Sequence, residues 1–212
     1  MKGVTYVHPL TTLGKRAMDL ALAVIGIIFT LPLYPFIALM IKLDSPGPVF
    51  YRQMRIGYQS KNYVCLFLMN RFRTMSVDKE AQSDPVRTTK NELRVTKAGL
   101  FLRRTRLDKL PQLWNVLMGD MSIVGPKPER LGICHKLEDN IPFYTERTYD
   151  VIPGMTGLAQ VNLSCDETLY DLRNRVAYDH AYALSLSNPA DWLKMDVSIL
   201  LKTLWVMATG KR

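Results

Sequence analysis

Cysteine is scarce in this chain: Cys65, Cys134 and Cys165 are its three, and no two of them form a CxxC pair. An odd, scattered set of thiols argues against a disulfide framework or a thiolate zinc site, and suits a reducing cytoplasm. His8, His135 and His180 are equally dispersed, so no cage of nitrogen and sulfur ligands is readable. Internal repeats, low-complexity tracts and a nucleophilic triad are missing too. Acid is in short supply: 19 Asp and Glu stand against 28 Lys and Arg, a formal net charge of +9. That excess points to an anionic partner, which could be nucleic acid, an acidic membrane surface or a phosphorylated substrate. Nucleic acid is the poorest fit, because the cations are spread through the chain and no recognised nucleic-acid module is present.

Charge is missing altogether from Leu20 to Ile41, a run long enough to cross a bilayer core as a helix. A cleaved signal peptide is disfavoured by the length of the run and by Pro32 and Pro35 within it. A plain transmembrane helix is the default for this length, yet each proline removes a helix hydrogen bond in the middle of the run. Cations flank both sides: Lys15 and Arg16 before, Lys42, Arg52 and Arg55 after. A spanning helix biases its Lys and Arg to one side. The symmetric flanks and the Leu31-Pro32 break favour a re-entrant helix that dips into one leaflet and returns, with Asp19 at interface depth.

The richest stretch is Leu100 to Glu129. Arg103, Arg104 and Arg106 crowd in front of Asp108, and Lys109 follows it. Leu107, Leu110, Leu113, Trp114, Val116 and Leu117 supply the apolar positions of a helix expected to start near Asp108, with Pro111 in its first turn. Two readings of Asp108 stay open. It is either a helix N-cap with the arginines as a solvated face, or a carboxylate held charged among cations, able to act as nucleophile or metal ligand beside an anionic substrate. Arginine forks match phosphate oxygens. Gly125-Pro126-Lys127-Pro128-Glu129 reads as a rigid turn.

Elsewhere, Asp44-Ser45-Pro46-Gly47-Pro48 is a stop and turn. Val49-Phe50-Tyr51 and Tyr63 to Met69 have strand composition, with a hairpin turn expected at Gly57-Tyr58-Gln59-Ser60. Arg71 and Arg73, at alternate positions, point the same way if the segment is extended. Ser76 to Asn91 reads as an exposed loop. Pro153 to Asn162 reads as a turn feeding a strand or loop, its glycines able to bring backbone close to a ligand. Glu167 to Ser185 is expected to be helical. The last helix opens at Asn188-Pro189 and is either interfacial or a core helix; its Trp192, Leu193, Val197, Leu200, Leu201, Leu204 and Trp205 form the apolar side.

Asp44 to Phe50, Arg71 to Met75, Leu102 to Glu129 and Pro153 to Gly157, in this order, resemble the bacterial sugar transferases. These are monotopic polyprenyl-phosphate hexose-1-phosphate transferases that start exopolysaccharide and related glycan assembly. The resemblance implies an α+β, mainly helical fold, with a re-entrant membrane helix, a small β-hairpin and amphipathic interfacial helices. It divides the chain into an N-terminal lead (1–13), a re-entrant helix–break–helix (14–44) and a membrane-associated catalytic domain (45–212) on the cytoplasmic face of the bacterial inner membrane. It implies a nucleotide-diphosphate sugar, usually a UDP-sugar, as donor and undecaprenyl phosphate as acceptor. Asp108 would be the nucleophile and a ligand of an assisting Mg²⁺, Lys109 its catalytic neighbour, and Pro32 the helix break. Arg71, Arg73, Arg103, Arg104 and Lys127 would contact phosphates. A homodimer is left open, since the last helix could face lipid or a second subunit. The chain departs from the family pattern in having Lys109 where Glu is usual, Lys127 for Arg, Ile152 for a cation, Asn162-Leu163-Ser164 for Asn-Gly-Arg, and Leu31 for Ser. A catalytically weak membrane-bound partner in a glycan assembly complex is the alternative reading.

Overall fold

His8 caps the first helix, its Nδ1 accepting from the Leu10 amide, and Pro9 occupies the first turn, where a missing N–H costs nothing. The computed structural model describes residues 7–76, 95–142, 144–163 and 169–209. Helix α1 (Pro9–Thr30) thus begins within the stretch expected to be a lead. It breaks at Leu31-Pro32 and the chain turns by 63° into α2 (Leu33–Asp44). Pro32 takes the N-cap of α2 and Pro35 falls in its first turn, so both prolines sit where the helix can accept them. Among the described residues no single helix is long and apolar enough to cross a membrane; the bent pair together meets that measure by length and composition.

The polar face of α1 points inward. Its buried residues are Thr11, Lys15, Asp19 and Ala23, spaced by four, while Ile28, Phe29, Leu33 and Phe36 lie exposed across the bend. Asp19 is not an isolated charge at interface depth: it accepts from Ser122 Oγ at 3.0 Å and the Ile123 amide at 2.9 Å. Lys15 and Arg16, expected as flanking cations, are structural pins. Lys15 Nζ donates to the Val124 carbonyl and to Asp196, each at 2.8 Å. Arg16 donates to the carbonyls of Val116 and Leu117 at a helix C-terminus that would otherwise hold them unpaired.

Strands β1 (Phe50–Gln59) and β2 (Val64–Phe72) pair antiparallel, Phe50 opposite Phe72 and Ile56 opposite Leu66, with an irregularity before Gln59. The hairpin turn is Ser60 to Tyr63, later than the sequence suggests. Gln59 is held in the strand because its backbone carbonyl accepts from Asp150 and its buried amide bonds Thr148. Of the polar stretch Ser76–Asn91, all but Ser76 lies outside the described residues. Helix α3 (Lys97–Thr105) follows, its amides capped by Thr96 and by Asp44, which accepts from the Ala98 amide at 2.8 Å.

Next come a 3-10 turn, Leu107–Lys109, and α4 (Gln112–Met118). A parallel pair forms between β3 (Ser122–Val124) and β4 (Gly154–Thr156). Here the glycines allow close backbone packing: a Cβ on Gly154 would lie 2.1 Å from the Gly125 nitrogen. Helices α5 (Leu131–Glu138), α6 (Leu158–Asn162), α7 (Leu169–Ser185) and α8 (Pro189–Thr209) complete the chain. The first residues of the segment Glu167–Ser185 lie outside the described set.

Helix α8 resolves its two readings by face. Trp192, Asp196 and Ile199 are buried with Val124, Val161 and Tyr182, whereas Leu193, Val197, Leu201, Leu204 and Trp205 are exposed. A second core joins Ala23 of α1 to Phe67, Met69, Leu113, Val116 and Met121, and a third joins Ile37 and Ile41 of α2 to Phe72 and Leu102. The architecture is α+β and mainly helical, as expected.

Candidate active site

Asp108 does not start a long helix. Helix α3 ends at Thr105, Arg106 adopts a left-handed conformation (φ 60°), and Asp108 sits buried in the short turn that follows. A non-glycine residue in that region costs local energy and persists where its surroundings demand it. Pro111, not Asp108, occupies the N-cap of α4, so the capping reading of Asp108 is not the one found. The reversal at Arg106 sets Asp108 beside Arg71 and Lys109, whose charged forms it favours.

Arg71 and Lys109 line a cavity of about 520 Å³, and Asp108 lies behind them, outside its lining. Its polar wall carries six cations: Arg55 from β1, Arg71 from β2, Arg106 and Lys109 around the 3-10 turn, Lys127 after β3, and Arg175 from α7. Its apolar lining includes Leu22 of α1 and Leu200, Val206 and Met207 of α8, two helices that also expose apolar side chains. Among the described residues no carboxylate lines it.

Crowding perturbs these cations. Lys109 is pushed down to about 7 by burial and by Arg71, Arg106 and Lys127, against the opposing pull of Asp108; its Nζ donates to the Met155 carbonyl at 3.3 Å. Burial, together with Arg71, lowers Arg55 to about 10. Arg71 is lowered mainly by burial, with Arg103 and Arg130 adding repulsion. Four polar atoms of the cavity-lining residues are buried without a hydrogen-bond partner: Nε of Arg55, Nε of Arg71, Gln112 Nε2 and Gln160 Oε1. Buried donors left unmade are costly, and several converging on one cavity mark it as a place for an acceptor-rich ligand.

The other expected phosphate contacts divide. Lys127 and Arg71 line the cavity. Arg103 is exposed beside it, its Nε donating to Thr74 Oγ1 at 2.9 Å, and its charge reaches Arg71. Arg104 is exposed and outside the lining. Arg73 does not share the direction of Arg71. Its guanidinium is buried against the carbonyls of Ser45 and Pro46 and fixes the turn after α2.

Sequence reasoning missed Arg55, Arg106 and Arg175 as members of one site. Arg175 is aimed by Glu129, which accepts from its Nη1 at 2.6 Å; Arg147, bonded to Asp179 at 3.0 Å, lies on the other side. Burial alone would raise Glu129, but Lys127, Arg175, Arg147 and Arg55 outweigh it and hold it below the usual carboxylate range. Spacing alone could not have grouped these residues, because they lie on separate elements.

The magnesium ion that the resemblance implies meets an unfavourable donor set. Among the described residues no three His, Cys, Asp or Glu converge. Asp108 adjoins the cavity, Glu129 is already bonded to Arg175, and the wall is cationic. A Mg²⁺ site draws on carboxylates and substrate phosphates, and these side chains do not fit a resident divalent cation.

A family model described as bacterial sugar transferase matches residues 10–210. The UDP-N-acetylgalactosamine-undecaprenyl-phosphate N-acetylgalactosaminephosphotransferase of Aeromonas hydrophila is 38% identical over 202 residues, 95% of this chain and 45% of that one. The UDP-glucose:undecaprenyl-phosphate glucose-1-phosphate transferase of Xanthomonas campestris pv. campestris is 41% identical over 192 residues, 90% of this chain and 38% of that one. The exopolysaccharide production protein PSS of Rhizobium leguminosarum bv. phaseoli is 38% identical over 194 residues, 89% of this chain and 92% of that one. The chain therefore spans less than half the length of the first two relatives and most of the third. With a family match running from α1 to the end of α8, this chain belongs to the bacterial sugar transferases.

Proposed function

We propose that this chain transfers a sugar-1-phosphate from a UDP-sugar to undecaprenyl phosphate at the cytoplasmic face of the bacterial inner membrane. The observation that carries the reading is the cavity beside Asp108, lined by six cations together with apolar side chains, among them Leu22 of α1 and Leu200, Val206 and Met207 of α8. Such a cavity suits a phosphate on a long apolar chain as well as a nucleotide diphosphate. The first two relatives described above carry UDP-sugars and undecaprenyl phosphate in their names.

In the first step an Asp108 carboxylate oxygen attacks the sugar-bearing phosphorus. The bond from that phosphorus to the bridging oxygen breaks, and uridine monophosphate leaves with the bridging oxygen. In the second step an oxygen of undecaprenyl phosphate attacks the same phosphorus, releasing the Asp108 carboxylate and yielding undecaprenyl diphosphate sugar. Splitting transfer into two displacements lets one site serve two anionic substrates in turn. Arg71, Arg106, Lys109 and Lys127 stabilise charge that grows on the phosphoryl oxygens and the leaving group. Arg103 lies at the rim, and Arg73 supports the site through the Ser45-Pro46 turn.

The inverted α1 supports membrane attachment. Charged residues within apolar helices face the protein and apolar ones face lipid, which is the arrangement of Lys15 and Asp19 against Ile28 and Phe29. The 63° bend at Pro32 supports a re-entrant course, with the exposed side of α8 in the interface.

The test is uridine monophosphate release from protein in nanodiscs given undecaprenyl phosphate and either UDP-glucose or UDP-N-acetylgalactosamine. Release with one donor, reduced roughly a thousandfold or more by Asp108→Asn, is the expected result. A folded Asp108→Asn variant that retains the rate removes Asp108 as nucleophile.

A further inference from the structure

We infer that, in this chain, side-chain cations centred on Lys109 do the work of a bound divalent ion at the donor diphosphate, so that transfer proceeds without magnesium. The inference rests on the transferase reading above and deepens it.

The donor set points this way from two directions. Lys109 directly follows Asp108, so the position best placed to give Asp108 a second carboxylate holds a lysine instead. Its Nζ is held at the Met155 carbonyl on the cavity wall, within Coulombic reach of Arg71, Arg106 and Lys127. A divalent cation approaching Asp108 therefore enters a field dominated by like charge.

The same residues already offer what a metal would supply. A nucleotide-sugar diphosphate carries a negative charge on each phosphate, and more charge develops on the departing monophosphate. The Arg71 Nε, the Arg55 Nε and Gln112 Nε2 are buried donors without protein acceptors around this cavity. Guanidinium and ammonium groups at such a site stabilise phosphoryl oxygens by charge-assisted hydrogen bonds, without reorganisation during the reaction. Bound diphosphate also relieves the mutual repulsion of the cations.

The decisive comparison is Lys109→Glu. It places two adjacent carboxylates beside the diphosphate, a donor set that suits Mg²⁺ with substrate phosphates. Lys109→Gln, which removes charge without adding a ligand, separates loss of the ammonium from gain of a metal. Folding of each variant in nanodiscs is checked by its thermal transition. With EDTA, wild-type release of uridine monophosphate should stay within about twofold of its rate with Mg²⁺. Lys109→Glu should be slower by roughly a hundredfold in EDTA and recover with Mg²⁺, while Lys109→Gln stays slow in both. A wild-type rate that collapses in EDTA and returns with Mg²⁺ overturns the inference, as does a Lys109→Gln variant as fast as wild type.

A second measurement separates this from the transferase reading itself. Mn²⁺ is titrated by electron paramagnetic resonance against each protein with UDP-glucose present, using donor alone as the blank. Immobilised Mn²⁺ above the blank is expected for Lys109→Glu and not for wild type. If folded wild type releases no monophosphate with or without Mg²⁺, the transferase reading fails, and a wild-type Mn²⁺ site would independently overturn the metal-free assignment.

Discussion

Two charge clusters that α1 borders treat their charges in opposite ways. In the first, Lys15 meets Asp196, Asp196 also accepts from Trp192 Nε1 and the Tyr182 hydroxyl, and Asp19 is satisfied by Ser122 and Ile123. Signs alternate and the network closes on protein partners. In the second, six cations line one cavity, with Asp108 beside Arg71 and Lys109 and Glu129 bonded to Arg175 as counter-charges, and buried N–H donors are left over. Closed networks hold elements together, here α1 to β3 and α8. Accumulated like charge with unspent donors lowers stability, and it is tolerated where a ligand completes the balance.

Breaking the first cluster should cost folding. Lys15→Met leaves Asp196 buried without its cation, and removing one partner of a buried pair costs about 3–5 kcal/mol. The thermal transition in nanodiscs should fall accordingly, and Lys15→Met with Asp196→Leu should regain part of the loss. A single variant as stable as wild type would erase the contrast between the clusters.

Removing a charge from the second cluster should do the reverse. Arg71→Gln should lower monophosphate release by roughly a hundredfold, with the thermal transition unchanged or raised because repulsion within the cavity is relieved. If Arg71→Gln melts the protein as Lys15→Met does, Arg71 belongs with the structural charges.

A prediction about pH sharpens the contrast. Lys109 has its folded value depressed to about 7 from an ordinary 10.5. Between those values the unfolded chain binds the proton and the folded chain does not, so stability should rise with pH through that window. Below about 7 both states carry it and the slope from this group vanishes. Lys109→Gln should flatten the rise in melting temperature measured across the window. An unchanged slope in the variant would assign the dependence to other groups.

Part of this was legible in the chain. Pro32 announces its break because a ring without an N–H cannot sit inside a helix, and it falls where two helices meet. Asp108 stands out because an acid among arginines is chemically conspicuous, and the ordered motifs around it point to the family. The hairpin was readable from strand composition but its turn was not, because Gln59 is kept in the strand by contacts with Thr148 and Asp150. Arg73 misled for a similar reason. Alternation places it with Arg71, whereas the carbonyls left by the Ser45-Pro46 turn draw it elsewhere.

By itself, the sequence determined what is local: the charge-free run and its break, the basic stretch around Asp108, the scattering of cysteine and histidine and the family pattern. Tertiary structure alone decided which charges are spent on one another and which face the cavity. Arg55, Arg106, Lys127 and Arg175 become one site only when β1, the turn at Arg106, the segment after β3 and α7 pack together. Lys15 and Asp19 change from membrane-flanking charges into internal pins only when α1 docks on β3 and α8. A side chain's type sets the charge it brings, but long-range packing sets the partner that charge finds, and the partner decides whether it stabilises the fold or serves a substrate.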